Sequence, residues 1–205
     1  MFYIRRKADN LVLYCFNQQP VFKGCMVKPI KALDTREDTH EVIQIDNHPL
    51  FWRGGLWNYD GTWTIANQEI YDSVVQEEQQ RIIQSVYAIR QAKIYQESIP
   101  YIFPGDTEPD GIQFRDEIDR QNIQDIGHVA QFHINNSEPD FPMFFMARSN
   151  TLKTFTATQA LEMCALLKLR GDVIYQLSWE LKQQIEAAQT LEDLYNININ
   201  TGWPE

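Results

Sequence analysis

The feature that most constrains the fold is a long stretch without Gly or Pro in the middle of the chain, over residues 67–98. Gly and Pro weaken or end helices, so their absence over this length favours one long helix. Asn67 has a side chain of the kind that caps a helix N-terminus. The stretch is therefore predicted to be an amphipathic helix, since most of its apolar residues are three, four or seven positions apart: Ile70, Val74, Val75, Ile82, Val86, Ile89 and Tyr95.

The residues before this helix have a different pattern. Residues 1–66 consist of short segments rich in β-branched and aromatic side chains, separated by Asp, Asn, Gly and Pro. Such segments are typical of antiparallel strands. The segment LWNYDGTWTI predicts a hairpin with Asp60-Gly61 in its turn. We therefore predict an N-terminal antiparallel β-sandwich-like domain over residues 1–66.

The remainder, residues 67–205, is predicted to be an α-helical domain, which makes the fold class α+β. After the long helix, residues 99–111 contain three Pro and two Gly and predict a loop. Helical spacing then returns, followed by a small hairpin with Ser149-Asn150 near its turn.

Two capping patterns mark further helices near the end of the chain. Thr156 and Gln159 have the spacing of a capping box, which predicts the start of a second long helix. Thr190 and Asp193 repeat that spacing and predict a helix of one or two turns.

The charge of the chain is divided in the same way as its secondary structure. The net charge is −10. Residues 1–65 hold eight Lys or Arg and seven Asp or Glu, whereas residues 66–205 hold 10 and 21. Binding to a nucleic-acid backbone requires clustered cations, so the acidic second part argues against a nucleic-acid partner.

The cysteines and the N-terminus indicate a protein made and used in a cytoplasm. Cys15, Cys25 and Cys164 form no CxxC pair, which favours reduced thiols. The N-terminal MFYIRRKADN has charges where a secretory signal needs an apolar run. No segment is long and apolar enough for a membrane helix, so we expect no membrane partner.

The sequence shows no pattern that predicts catalysis, and we expect no enzyme activity, no cofactor and no metal. His128 and His133 are five residues apart, so they do not share a helix face as metal ligands at i and i+4 do. The acidic GDTEPDG at 105–111 lacks the ligand spacing of a calcium-binding loop. No GxSxG, HExxH, P-loop or GxGxxG pattern occurs.

A dense group of aromatic residues provides the candidate partner-binding surface. Five aromatics within thirteen residues exceed what one face of a small hairpin can bury, so alternation should place some of them outside. Core packing and a surface for stacking on a partner or a sugar are both open interpretations. The partner-binding hypothesis includes the neighbouring arginine and comprises Phe51, Trp52, Arg53, Trp57, Tyr59 and Trp63.

The C-terminal segment LSWELKQQIEAAQTLEDLYNININTGWPE has a recognisable pattern of a helix, a short capped helix and a GWP ending. Upstream, FMARSNTLKTFTATQALEM combines a small hairpin with a Thr-capped helix. Over about residues 106–205 these features resemble a helical domain of tailed-phage proteins, including tail fibre assembly chaperones. The matching positions are Leu181, Lys182, Ile185, Ala188, Thr190, Leu194, Ile197, Ile199, Gly202, Trp203 and Pro204.

The resemblance implies a non-catalytic chaperone that binds the distal part of a phage tail fibre and assists its folding and trimerisation. It also implies a variable N-terminal β module that grips the fibre, and a location in the host cytoplasm during phage assembly. Since a partner of a three-fold fibre is most simply three-fold itself, we expect a homotrimer. The self-association hypothesis places its contacts on Leu166, Val173, Leu177, Leu181 and Trp203.

Three alternatives stay open at this point. The chain could be a structural protein of the tail fibre or baseplate that stays in the virion. It could instead be a carbohydrate-binding module, with Trp52, Trp57 and Trp63 as stacking platforms. Trp203 could be a local cap on the helical domain of each chain and take no part in association.

Overall fold

The computed structural model describes residues 1–16, 21–23, 26–28, 39–46, 49 and 53–204. Its first seven strands precede the long helices, and two further strand pairs lie between those helices, which confirms the predicted α+β class. The change from strand to helix occurs between Ile65 and Gln68, as the sequence predicts. No helix in the described residues has the length and apolar content that a bilayer span requires.

The N-terminal strands form a curled antiparallel sheet of five strands in the order β5-β1-β2-β6-β7, and β3 pairs with β4 in a separate hairpin. Tyr3, Val12 and Ile45 form a small apolar cluster on one side, and Ile4 and Phe16 form another. The strands are β1 (Phe2–Arg6), β2 (Leu11–Phe16), β3 (Val21–Lys23), β4 (Met26–Lys28), β5 (His40–Gln44), β6 (Trp57–Tyr59) and β7 (Trp63–Ile65).

The predicted hairpin around Asp60-Gly61 is confirmed, with Tyr59 directly opposite Trp63. Gly61 has a φ of 113°, which favours glycine because it has no Cβ. The Asp60 carboxylate accepts hydrogen bonds from the backbone and hydroxyl of Thr62, at 3.4 and 3.2 Å. The turn is therefore fixed by local chemistry, which explains why the sequence predicts it.

The first helix, α1 (Gln68–Ile94), begins at the predicted cap. The Asn67 side-chain oxygen accepts the Ile70 N–H at 3.1 Å. The helix ends earlier than the predicted residue 98, because the following residues form strand β8 (Gln96–Tyr101).

The prediction that residues 99–111 form a loop is wrong at both ends. Strand β8 pairs with β9 (Asp110–Phe114), so only residues 102–109 connect them. Ile99 lies opposite Ile112, and both side chains are buried. Burial of two apolar side chains against each other stabilises this strand pair, although the segment contains three prolines.

The remaining elements follow the predicted order of helix, hairpin and second long helix. Asp116 caps the first of them through hydrogen bonds from Ile118 N–H and Asp119 N–H, at 2.9 and 3.0 Å. The hairpin has its turn at residues 147–151, which include the predicted Ser149-Asn150. The elements are α2 (Glu117–Asn135), β10 (Pro142–Met146), β11 (Leu152–Thr156), α3 (Ala157–Ala187) and α4 (Leu191–Asn196).

Both predicted capping boxes are present. The Thr156 hydroxyl accepts the Gln159 N–H at 3.2 Å, and the Gln159 side chain accepts the Thr156 N–H at 2.9 Å. Thr190 and Asp193 make the same reciprocal pair, at 3.1 and 3.2 Å. These bonds satisfy N–H groups that have no partner inside the helix.

Replacement of Thr156 by Ala is expected to lower the free energy of unfolding by about 0.5–2 kcal/mol, because the helix loses its N-terminal cap. Thr154 is exposed on the same strand and has no capping role, so Thr154→Ala is the matched control, with a change within about 0.5 kcal/mol. Urea unfolding of both variants checks the prediction. Equal losses in the two variants would contradict it.

The chain divides into two compact units. One contains Met1–Arg81 with Ala188–Asn196, and the other contains Ile82–Ala187 with Ile197–Glu205. The second unit has a core built from β8 to β11, α2 and α3. Its fully or largely buried members are Phe103, Ile112, Ile123, Ala130, Met143, Ala147, Phe155, Ala157, Ala160 and Met163.

Candidate partner-binding site

Two of the predicted aromatic residues pack into the N-terminal sheet. The rings of Tyr59 and Trp63 are 4.9 Å apart, and Trp63 meets the buried Tyr3 ring edge to face at 5.3 Å. Both side chains are half-buried against the cluster of Tyr3, Val12 and Ile45. Their contacts therefore contribute to the core of the sheet and leave only part of each ring accessible.

The other members of the predicted set are less closely grouped. Trp57 is half-buried and meets the Tyr71 ring of α1 edge to face at 6.0 Å. Arg53 is exposed and lies 3.4 Å from the Glu77 carboxylate. Phe51 and Trp52 lie outside the described residues.

The predicted self-association residues fall into two groups. Leu166 and Val173 are exposed on α3 and form a stripe with the exposed Leu169. Leu181 and Trp203 are buried, and Leu177 is half-buried. Leu181 and Trp203 therefore pack inside one chain, and the accessible members of the predicted self-association set are Leu166 and Val173. The self-association itself stays a prediction.

The second unit contains a feature that the sequence did not predict, a groove between β9 and β10. The Arg148 N–H donates to the Gly111 carbonyl at 2.8 Å. An antiparallel register continued from this bond would set Gln113 opposite Met146. Among the described strands, however, β9 pairs only with β8, and β10 pairs only with β11. The two strands therefore meet at one end and separate at the other.

The space between them has a volume of ≈ 340 Å³. Two strand edges form its sides, and α2 contributes the rest of its lining. We call this space the β9–β10 groove, and it is lined by Gln113, Arg115, Asp119, Asn122, Ile123, Ile126, Phe144, Phe145 and Met146.

The closed end of the groove is fixed by close packing and by hydrogen bonds. A Cβ on Gly111 would lie 2.9 Å from Arg148 Cβ, so only glycine allows this approach. The Asp110 carboxylate accepts the Ser149 hydroxyl at 2.5 Å and lies 3.4 Å from Lys153 Nζ. The hydrogen bond from Ser149 is the main reason that the pKa of Asp110 is below its usual value.

The open end is fixed by Asp119 on α2. Its carboxylate accepts the Arg115 backbone N–H and the Arg115 side-chain Nε–H, both at 2.9 Å. These bonds lower the pKa of Asp119. Because Asp119 takes the N–H that could otherwise continue the ladder towards β10, the strands stay apart here.

The β10–β11 hairpin carries apolar side chains on both faces. Met143 and Phe155 face the core, whereas Phe144 and Met146 are 58% and 51% exposed. Leu152, opposite Met146, is also exposed. Exposed apolar residues beside an unpaired strand edge are a feature of surfaces that bind another chain.

A second cavity, of ≈ 510 Å³, lies between α2, α3 and β8–β9. Its walls include the stacked rings of Tyr95 and Phe114, 6.2 Å apart, and its rim carries the ion pairs Glu117–Arg120 and Lys168–Asp172. Apolar walls with a charged rim suit a large apolar side chain. The half-buried Cys164 thiol also lines it, and burial raises its pKa. No group of three His, Cys, Asp or Glu that could hold a metal occurs in the described residues.

The sequence contains one signal that could have indicated the groove. In PMFFM, residues 142–146, apolar side chains occupy both alternating positions of a short strand. One face of a two-stranded hairpin covers the core, so the other apolar face must be accessible or covered by another chain. The separation of β9 from β10 depends on contacts distant in sequence and has no local signal.

Comparison with known families gives one match. Residues 76–199, more than half of the chain, match the family described as Domain of unknown function (DUF4376). No curated protein and no solved structure matches the chain.

Proposed function

The chain belongs to the DUF4376 family, and we propose that it is a tail fibre assembly chaperone of a tailed phage. It binds the distal part of a tail fibre and assists folding and trimerisation without catalysing a reaction. The observation that carries this proposal is the β9–β10 groove, where two strand edges without a second neighbour among the described strands flank exposed apolar side chains.

The groove suits an extended segment of a client chain. An added strand forms main-chain hydrogen bonds to an exposed edge, and pockets for alternate side chains give specificity. The edge at Gln113 and Met146 offers such backbone groups, and the exposed Phe144 and Met146 offer apolar contacts. A chaperone that acts in this way needs no catalytic group.

The physics of fibre folding supports the same proposal. Intertwined trimers depend on pairings distant in sequence, so they fold slowly and expose apolar edges before assembly. A partner that covers one edge until three chains meet suppresses aggregation. On this proposal the chaperone acts in the host cytoplasm as a homotrimer. The β-rich residues 1–66 bind the fibre at a second contact.

Co-expression with a tail fibre protein of the same phage tests the proposal, with the purification tag on the fibre. We expect the fibre to be soluble and trimeric only when this chain is present, and the two to elute together at a fixed ratio. Met146→Lys places a charge at the groove, so we expect it to reduce soluble fibre at least about tenfold. Phe132→Lys is the matched control, since Phe132 is an exposed apolar residue outside the groove.

The outcomes of this test distinguish the chaperone function from a structural role in the virion, and they test the groove as the binding site. A fibre that folds without this chain would contradict the chaperone function, and detection of the chain in purified virions would then favour a structural virion protein. Equal loss of soluble fibre with both variants would leave the chaperone function standing but exclude the groove as the binding site.

A further inference from the structure

Arg90 on α1 has an unusual environment in the second unit. Its guanidinium carbon lies 4.7 Å from the centre of the Tyr87 ring and 5.2 Å from the centre of the Tyr175 ring. Its Nε is buried and has no hydrogen-bond partner in the described part of the chain. Two aromatic rings therefore hold the guanidinium, and the rings supply no counter-charge.

Most other arginines lie near a carboxylate, whereas Arg90, in the part of the chain that the structure describes, does not. No carboxylate of the described residues lies within ion-pair distance of Arg90. A half-buried cation without a counter-ion has lost part of its hydration and has not replaced it with a paired charge. The arginines that do lie within ion-pair distance of a carboxylate are Arg5, Arg6, Arg53, Arg81, Arg115, Arg120 and Arg148.

The surroundings of Arg90 include further aromatic side chains. Tyr175 on α3 is partly exposed, and Trp179, one helical turn further, is 66% exposed. One turn beyond Arg90 on α1, the Lys93 carbonyl accepts a hydrogen bond from Arg170 Nη1 at 2.9 Å. Exposed Trp, Tyr and Arg are the residue types that most often anchor protein interfaces. The charged side chains that line the cavity beside Tyr175 carry both signs and include the pairs Glu117–Arg120 and Lys168–Asp172.

We propose that Arg90 is a binding site for a carboxylate of a protein partner, an Asp or Glu side chain flanked by an apolar residue. The guanidinium lies over the Tyr87 and Tyr175 rings, and its planar pair of Nη donors matches the two oxygens of one carboxylate. The apolar neighbour of the acidic residue packs on Tyr175 and Trp179. This proposal goes beyond the chaperone function and does not depend on the identity of the fibre.

A peptide titration followed by NMR tests the proposal on the full chain. The probe is N-acetyl-Phe-Glu-Ser-amide, and its control is N-acetyl-Phe-Gln-Ser-amide. The Arg90 Nε–Hε signal is assigned by its loss in Arg90→Lys. We expect a saturable shift of this signal with the Glu peptide and at least about tenfold weaker binding of the Gln peptide, because a neutral amide cannot pair with the cation.

The variants separate the site from general charge effects. Arg90→Lys keeps the charge but loses the planar pair of donors, so we expect at least about tenfold weaker binding of the Glu peptide, followed on the Trp179 indole signal. Tyr175→Leu, at an exposed position, should also weaken binding. Arg120→Lys is the control, since Arg120 already pairs with Glu117. Equal shifts with the two peptides, or no loss in Arg90→Lys, would overturn the proposal.

Discussion

Replacement of Phe103 by Ala is expected to lower the free energy of unfolding by about 3–5 kcal/mol, the range for a large aromatic side chain removed from a core. Phe103 is 1% exposed, although it lies in the connection between β8 and β9. Its ring centre lies 4.9 Å from that of Tyr101, 5.8 Å from that of Phe145 and 6.3 Å from that of Phe155. The substitution removes all three ring contacts and leaves a cavity in the core of the second unit.

Phe144 provides a matched control for this prediction. It is the same residue type and lies on strand β10, where its side chain is exposed. Phe144→Ala should therefore change the free energy of unfolding by at most about 0.5 kcal/mol. Urea unfolding monitored by circular dichroism measures both variants. A loss below about 1 kcal/mol for Phe103→Ala would mean that the site collapses around the smaller side chain or that the ring is not in the core.

The parts of the fold that the sequence predicted are those fixed by neighbouring residues. The Asn67 cap, the Asp60-Gly61 turn and the Thr156–Gln159 capping box each join residues at most three apart. Their chemistry is complete within a short segment, so no knowledge of the tertiary structure is needed.

The parts that the sequence did not predict depend on distant residues. Residues 99–111 predict a loop because Pro and Gly usually interrupt strands, yet the end of β8 and the start of β9 lie in this range, and Ile99 packs against Ile112 across the pair. The β9–β10 groove exists because Gly111 approaches Arg148 while Asp119 holds Arg115 away from β10. Which of two competing partners a strand edge or a backbone N–H pairs with depends on the tertiary structure. Such pairings leave no periodic pattern in the sequence.

The sequence pattern did not indicate the candidate site for a related reason. The aromatic residues that stood out in the sequence, such as Trp63, are grouped because they pack on each other in the N-terminal sheet. Phe144 and Trp179, which lie outside that aromatic group, have exposed side chains. Clustering of aromatic residues along a chain therefore indicates local packing as readily as a binding surface.

Replacement of Trp203 by Ala is expected to destabilise the chain by about 3–5 kcal/mol, comparable to the effect at Phe103. Trp203 is buried, and its indole Nε1–H donates to the Ile199 carbonyl at 2.9 Å. The preceding Gly202 has a φ of 84°, which allows the chain to turn, and an added Cβ there would lie 3.6 Å from Leu177. The substitution removes both the buried ring and the hydrogen bond.

Two further variants separate these contributions. Trp203→Phe keeps much of the buried ring but loses the hydrogen bond, so its cost should be smaller, with about 0.5–1.5 kcal/mol from the bond itself. Trp179→Ala is the control for the loss of an indole, since Trp179 is exposed on α3 and its removal should change stability by at most about 0.5 kcal/mol.

The dependence on protein concentration decides what the GWP ending does. If Trp203 stabilises each chain by itself, the loss in Trp203→Ala is the same at every protein concentration. If it instead stabilises an oligomer, the loss grows with concentration, because subunit association contributes to stability by mass action. The hydrogen bond to Ile199, four residues away in the same chain, leads us to expect no concentration dependence. A loss that increased with concentration would contradict the local role and restore Trp203 to the self-association surface.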